Sequence, residues 1–292
     1  MTKICILGGS GLIGSSILTE KTNSEKIIYS YNKNEIKTNH EGVQINIPKD
    51  YEKLQRFLDL QKPDVVVNTI SKSNPYYCEE NQKETFEINV EFVKKISELS
   101  NKNNFRLIQF SSDYVFDGEK GKYTEKDKPN PINNYGNSKY MAEKFVLKNS
   151  LNTVIRTSQV FGKNHNARFF NFVIENLRRG EKIDVYDDIF LSPTFVDDLI
   201  TSLFKIIRKS LTGIFHVSGS ECISKYEFAK YIAKVLKFDE NLINPVSIFK
   251  SEYKMNYPSN TCLDNTFTST KLEQKFHSIE ESLELFKNTI EK

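Results

Sequence analysis

The chain has 292 residues, a formal net charge of +3 and 27% charged side chains, with lysines and acids mixed along its length. That length can bury a large core, as one big domain or two closely joined ones. No basic tract points to nucleic acid or an anionic lipid surface. The opening MTKICILGGSG is too short an apolar segment for a signal peptide or membrane span, and nothing later approaches one. A cytoplasmic protein without nucleic-acid or membrane partners is therefore expected. Cys5, Cys78, Cys222 and Cys262 are scattered with no CxxC and no metal spacing, so they read as reduced thiols that mostly fill the core.

In chain order, Lys3–Leu7 is a short apolar run closed by glycines and reads as a buried strand; helical spacing follows over Gly11–Thr19. Lys26–Tyr31 is a second strand, and Asp50 is placed to cap a helix running to Leu60. Val65, Val66 and Val67 after Pro63-Asp64 are the clearest parallel-strand signal in the chain. Gln82–Leu99 carries Phe86, Val90, Val93 and Ile96 at helical spacing. A strand at Leu107–Phe110, a helix at Tyr135–Lys148 and a strand at Thr153–Arg156 complete the regular part. Strands alternating with helices predict an α/β fold, a Rossmann-type doubly wound parallel sheet.

Beyond Arg156 the rhythm loosens. Helices are expected at Phe169–Arg179, Val196–Arg208, Lys225–Leu236 and Ile279–Ile290, with a strand at Ile214–Val217 and a looser stretch over Asn241–Thr270. The expected organisation is a dinucleotide-binding part over residues 1–155. A smaller α/β substrate-binding part, interleaved with it, covers 156–292.

Gly8-Gly9-Ser10-Gly11-Leu12-Ile13-Gly14 directly follows the first strand and opens the first helix. Glycines at this spacing allow a tight turn and close approach of a pyrophosphate. The helix N-terminus adds unpaired N–H groups and a favourable dipole. Gly8, Ser10, Gly11, Leu12 and Ile13 are thus candidate cofactor contacts, the alternative being a glycine turn without a ligand. An NAD site usually has an acid at the end of the second strand. Here Ser30-Tyr31-Asn32-Lys33 stand there, with no acid before Glu35. Asn32 and Lys33 tolerate a 2′-phosphate better than a carboxylate would, so NADP(H) is preferred over NAD(H), unless Lys33 is only a solvated turn residue.

The central stretch is SSDYVFDGEKGKYTEKDKPNPINNYGNSK, Ser111 to Lys139. Tyr135 and Lys139 are four apart and share one helix face. A cation beside a phenol favours the phenolate, and a phenol tuned towards neutral pH can move the proton that hydride chemistry at a carbonyl requires. An isolated YxxxK is more often a surface pair, so the surrounding motifs carry the weight.

Those motifs, the GxxGxxG loop, SSDYVFDG and YGNSK in order, resemble the extended short-chain dehydrogenases/reductases. More narrowly they resemble the dTDP-4-dehydrorhamnose reductase family. The likeness runs over nearly the whole chain, through Asn68–Glu79, Ile155–Gly162, Ser192–Leu199, Gly213–Ala229 and Asn260–Asp264. It implies Ser112, Tyr135 and Lys139 as catalytic residues. Tyr135 would protonate the carbonyl oxygen, Lys139 would hold the nicotinamide ribose, and Ser112 would bond the substrate oxygen. It further implies cofactor contacts at Asn68, Thr69 and Ile70, and substrate contacts at Ser73, Asp113, Tyr114, Gln159, Pro193 and Asn260. The expected reaction is reduction of the 4-keto group of a nucleotide-activated deoxysugar for a surface polysaccharide, by a protein for which a homodimer is compatible.

Related 4,6-dehydratases carry an Asp-Glu pair after the catalytic hydroxyl; Asp113-Tyr114 lacks the second acid and disfavours elimination. Other departures fall on the substrate side: Pro75-Tyr76 for a Val-Asp pair, Gln159 for Trp, Tyr257 for Arg, and a Thr-Ser-Lys displaced to Ser269–Lys271. The resemblance extends to the regulatory β subunit of methionine adenosyltransferase, a non-catalytic alternative, and to epimerases of the same superfamily. Arg156 can either reach a substrate phosphate or tie strand to loop. Phe169, Phe170 and Phe172 can stack on a base or line the core. His40, His165, His216 and His277 form no metal pattern, and no metal is assigned. Nothing around Cys78 marks an activated thiolate.

Overall fold

The computed structural model describes residues 1–20, 24–162, 167–250 and 255–290; His165 lies outside them. Seven parallel strands form the main sheet. They are β1 (Thr2–Leu7), β2 (Glu25–Tyr31), β3 (Glu41–Gln44), β4 (Val65–Asn68), β5 (Arg106–Ser112), β6 (Thr153–Thr157) and, from far downstream, β11 (Gly213–His216). Their spatial order is β3-β2-β1-β4-β5-β6-β11. The order reverses between β1 and β4, and a crevice opens there at the carboxyl ends of the strands. This is the Rossmann-type doubly wound α/β sheet that the alternating pattern predicts.

Alternate residues of each strand serve opposite faces. Ile4 and Ile6 of β1 pack with α1 (Leu12–Thr19) and α8 (Val196–Arg208). Cys5 and Leu7 pack with α2 (Tyr51–Gln61), α5 (Phe92–Asn103) and α6 (Asn134–Val146). Both faces are covered, and so all four β4 residues are buried. A third apolar cluster joins α7 (Arg168–Arg178), α9 (Lys225–Leu236) and α11 (Ile279–Ile290). Beside it, β8 (Ile183–Tyr186) pairs in parallel with β13 (Ile243–Val246).

Several features depart from the sequence reading. The edge strand β3 reads Glu-Gly-Val-Gln, with no residue fully buried and no apolar period to reveal it. The single helix expected over Gln82–Leu99 is preceded by a short α3 (Pro75–Glu80) and divided. A short α4 (Gln82–Phe86) leads through a π-turn at Glu87–Glu91 into α5. The stretch Asn241–Thr270 holds β13 and the start of α10 (Thr266–Leu272).

The cysteine reading is corrected in part. Cys5 and Cys78 are free and buried, but Cys222 and Cys262 form a disulfide with Cα atoms 5.5 Å apart across a sequence separation of 40. The partners come from the turn before α9 and the segment before α10. Tertiary packing brings them together, and no local spacing could reveal it.

Arg156 takes the structural alternative. It is 1% exposed, and its guanidinium meets Glu143 of α6 through two bonds of 2.9 and 2.7 Å. Its third arm lies 3.3 Å from His216 Nε2. Burial, then the Arg156 charge, pushes the His216 imidazole down to about 3, so it stays neutral. With Nδ1 3.0 Å from the Tyr123 carbonyl, the assigned tautomer donates there and accepts from Arg156. A bidentate buried pair of this kind is expensive to leave half-made.

Candidate active site

One cavity of about 1120 Å³ runs along the crevice. That is more than a drug-sized ligand site commonly holds, and enough for two ligands side by side. Its inner end is built from the glycine loop. Gly8 has φ +88°, and a side chain there would meet Thr69 Oγ1 at 2.8 Å, since the Thr69 hydroxyl donates to the Leu7 and Gly8 carbonyls. At Gly14 a Cβ would come within 2.2 Å of the Gly8 carbonyl oxygen. At Gly11 it would meet nothing nearer than 3.5 Å, so the loop is tight below and open above. Gly11 caps α1 without a side chain, and Leu12 and Ile13 line the cavity. The first-turn N–H groups are therefore not taken by a side-chain cap, as an incoming pyrophosphate requires.

Ser30, Asn32, Lys33 and Asn34 line the same end, and among the described residues no carboxylate joins them there. Thr69 and Ile70 line it too. Asn68 does not: it is fully buried, donates to Gln109 Oε1 at 2.8 Å and accepts from the Ile70 N–H at 3.1 Å. It shapes the strand end from behind. Ser111 Oγ and Thr157 Oγ1 are buried without a hydrogen-bond partner among the described residues, and both belong to cavity-lining residues. Open backbone donors, an uncapped helix and unpartnered hydroxyls along one cavity fit a dinucleotide with a second polar ligand.

The catalytic candidates meet midway along the cavity. Asn133 caps α6 by accepting from Gly136 N at 2.8 Å, which places Tyr135 in the first turn. A Cβ on Gly136 would lie 2.0 Å from the Tyr114 carbonyl oxygen, so only glycine lets α6 seat directly on the turn after β5. That seat brings the Tyr135 phenol against Ser112. One helical turn on, Lys139 Nζ donates to the Phe110 carbonyl at 2.7 Å and lies 3.4 Å from Ser71 Oγ.

The electrostatics correct the expectation that Lys139 pulls the phenol down. Burial pushes the Tyr135 phenol above its usual value; Asp113 and Cys78 act in the same sense, against the Ser112 hydroxyl and Arg168. Burial likewise pushes the Lys139 ammonium down, to about 8, against Glu143 and Cys78. At neutral pH the phenol keeps its proton, which suits a donor to a carbonyl oxygen.

Sequence reasoning passed over Asn89. It sits in the π-turn, and Asn89 Oδ1 accepts from the Lys72 N–H at 2.8 Å and from Ser71 Oγ at 3.1 Å. Its Nδ2 donates to Ser138 Oγ at 2.9 Å. It therefore ties the loop after β4 to the helix carrying Tyr135 and Lys139, in a helix irregularity of the kind often found at functional sites. A polar residue three beyond Phe86 and four before Val93, on an apolar face, was the available signal.

At the outer end, Ser73, Tyr114 and Gln159 line the cavity with Pro75, Arg168, Phe169, Phe172, Lys225 and Tyr257. The three phenylalanines divide: Phe170 is fully buried, whereas Phe169 and Phe172 reach the cavity. Tyr257 ring-packs on Tyr114, which packs on Tyr135. Lys225 Nζ donates to the Tyr257 hydroxyl at 2.9 Å. Although burial raises the Tyr257 phenol, Lys225 and the bond from Tyr114 outweigh it and hold it below its usual value. Asp113 borders the cavity but spends its carboxylate on Ser112, Ser158 and Thr261. Pro193 and Asn260 stand outside the lining. The Pro193 carbonyl is packed against Gly219, and Asn260 Oδ1 accepts from the Cys262 N–H at 3.3 Å beneath Gly121. Cys78 is buried, and burial raises its thiol. Among the described residues no three His, Cys, Asp or Glu side chains gather to hold a metal, and no helix is long and apolar enough to cross a membrane.

Comparison with known proteins matches this geometry. A dTDP-4-dehydrorhamnose reductase of Aggregatibacter actinomycetemcomitans is 30% identical over 295 residues, covering 94% of each chain. The crystal structure of a dTDP-4-dehydrorhamnose reductase from Bacillus anthracis in complex with NADP has a TM-score of 0.87 at 26% identity, covering 100% of both chains. The methionine adenosyltransferase 2 subunit beta of Bos taurus is 27% identical over 84% of this chain and 75% of its own. The RmlD substrate binding domain family matches residues 1–291, and the chain belongs to that family.

Proposed function

We propose that this protein is an NADPH-dependent reductase of the 4-keto group of a nucleotide-activated deoxysugar, of the dTDP-4-dehydrorhamnose type, serving surface polysaccharide synthesis. The observation that carries the reading is the meeting of Ser112, Tyr135 and Lys139 on the wall of a cavity whose inner end is the glycine loop. Residues 1–155 supply the dinucleotide side and residues 156–292 most of the outer, sugar-nucleotide side. Gly8, Ser10 to Ile13, Thr69 and Ile70 would hold the dinucleotide, with Asn32 and Lys33 at its ribose phosphate. The preference for NADPH over NADH rests on the missing acid at the end of β2.

A bound nicotinamide would supply hydride. The chain's own part is proton transfer and alignment. Tyr135, kept protonated by burial, gives its proton to the carbonyl oxygen as charge develops there. Ser112 aligns that phenol. Lys139 is anchored on the Phe110 carbonyl and beside Ser71, where it would hold the nicotinamide ribose. Ser73, Tyr114 and Gln159 are the sugar-side contacts. The test is NADPH oxidation with dTDP-4-dehydro-6-deoxy-L-mannose, repeated with Tyr135→Phe. An unchanged rate in the variant overturns the mechanism.

Similarity to a methionine adenosyltransferase subunit favours a second, non-catalytic reading. Co-purification with such an enzyme and no turnover of any keto-sugar would support it. A homodimer belongs to the main reading, with exposed Phe86 as a candidate apolar contact, and light scattering reads it out. So does a cytoplasmic location, where disulfides are rare. A thiol count on cells lysed into alkylating agent tells whether the Cys222–Cys262 bond forms there.

A further inference from the structure

Asp113 follows Ser112 directly, yet its carboxylate turns into the protein and is 4% exposed. Its Oδ1 accepts from Ser112 Oγ at 2.9 Å. Its Oδ2 accepts from Ser158 Oγ at 2.7 Å and from Thr261 Oγ1 at 2.6 Å. Three hydroxyls from three separate segments thus converge on one carboxylate, and hydroxyls rather than a cation act against the rise that burial gives it. Thr261 adjoins Cys262, whose disulfide to Cys222 ties this segment to the turn before α9.

Burial raises the Asp113 carboxyl, and the hydroxyls of Thr261, Ser158 and Ser112 act against that rise by bonding its oxygens. The Tyr114 N–H donates to Ser112 Oγ at 3.2 Å, and the Tyr135 phenol stands against it. We propose that Asp113 is a positioning residue: it fixes the rotamer of Ser112, so that Ser112 Oγ holds the Tyr135 phenol in its place in the cavity. Ser158 and Thr261 hold Asp113 in place for this task. The inference rests on the reductase reading, under which Tyr135 is the proton donor. It reassigns Asp113 from substrate contact to the support of Ser112.

The experiment is a double-mutant cycle on the full chain with NADPH and the keto-sugar, using Asp113→Asn, Ser112→Ala and the double variant. Asp113→Asn should lower kcat about 10- to 100-fold with KM changed less than about twofold, because it alters alignment and not binding. In the Ser112→Ala background the same change should cost less than about twofold. Equal losses in both backgrounds, or no loss in either, overturn the proposal. Should Asp113→Asn not fold, Thr261→Val and Ser158→Ala remove donors from the far oxygen, and their smaller kcat losses should likewise vanish with Ser112→Ala. A separate readout needs no turnover. In protein labelled with 13C at the tyrosine Cζ, the Tyr135 titration should shift further on Asp113→Asn while Ser112 is present than in Ser112→Ala, where only the direct Asp113 charge is lost; equal shifts overturn the proposal. If the wild type reduces no keto-sugar, the reductase reading fails by itself, and the titration still decides whether Asp113 acts through Ser112.

Discussion

The two ends of the cavity are made differently. The inner end comes from the residues that follow three neighbouring strands, β1, β2 and β4, of one rigid sheet. Each segment is a few residues long, and backbone N–H groups, glycines and small hydroxyls carry the fit. The outer end draws on the loop after β6, on α7, on the first residue of α9 and on Tyr257, separated by up to about a hundred residues. There side chains carry the fit, and they are held by other side chains: Lys225 by Tyr257, Tyr257 by Tyr114. A backbone site tolerates sequence drift as long as its glycines remain. A side-chain site changes its ligand whenever one member changes. The departures at Gln159 and Tyr257 therefore bear on which ligand fits the outer end.

Tyr135 stands where the two ends meet, and its loss should have the largest effect. Tyr135→Phe removes the proton and keeps the ring packing on Tyr114. It should lower kcat about 10²- to 10⁴-fold with little change in thermal midpoint, read by NADPH oxidation and calorimetry. A loss confined to KM would place Tyr135 with the binding residues instead. Next is the brace of the outer end. Cys222→Ser should cost about 2–4 kcal/mol of stability. Denaturant melts should show that cost while NADPH affinity stays within about twofold; a fall in NADPH affinity would mean the two ends are mechanically coupled.

Smaller effects separate the ends by ligand. Lys33→Glu should weaken NADPH about tenfold and spare NADH, and Lys225→Met should raise KM for the sugar-nucleotide by a similar factor without changing kcat. Crossed results would break the division. The smallest effect is in pH. Lys139 loses its charge as pH rises through about 8, whereas the Tyr135 phenol is raised and stays protonated there. The alkaline fall of kcat/KM should therefore begin near 8 and report Lys139. Lys139→Arg, which stays charged, should move that fall upward; an unmoved limb assigns it to another group.

The sequence by itself determined the sheet, the glycine loop and the Ser112, Tyr135 and Lys139 set. These depend on local periodicity and short spacings: an apolar run such as Val65–Val67 reads as a buried parallel strand wherever it occurs, and a four-residue interval places two side chains on one helix face. Tertiary structure decided the rest. It turned Asp113 inward onto hydroxyls 45 and 148 residues away, and drew Cys222 to Cys262. It withdrew Asn68, Pro193 and Asn260 from the cavity wall, and gave Arg156 to Glu143. It also reversed the expected Tyr135 shift, because burial of the phenol, with Asp113 and Cys78 in the same sense, outweighs the Ser112 hydroxyl and Arg168. Desolvation and long-range hydrogen bonds depend on what the whole chain packs around a group, and no short window of sequence contains that information.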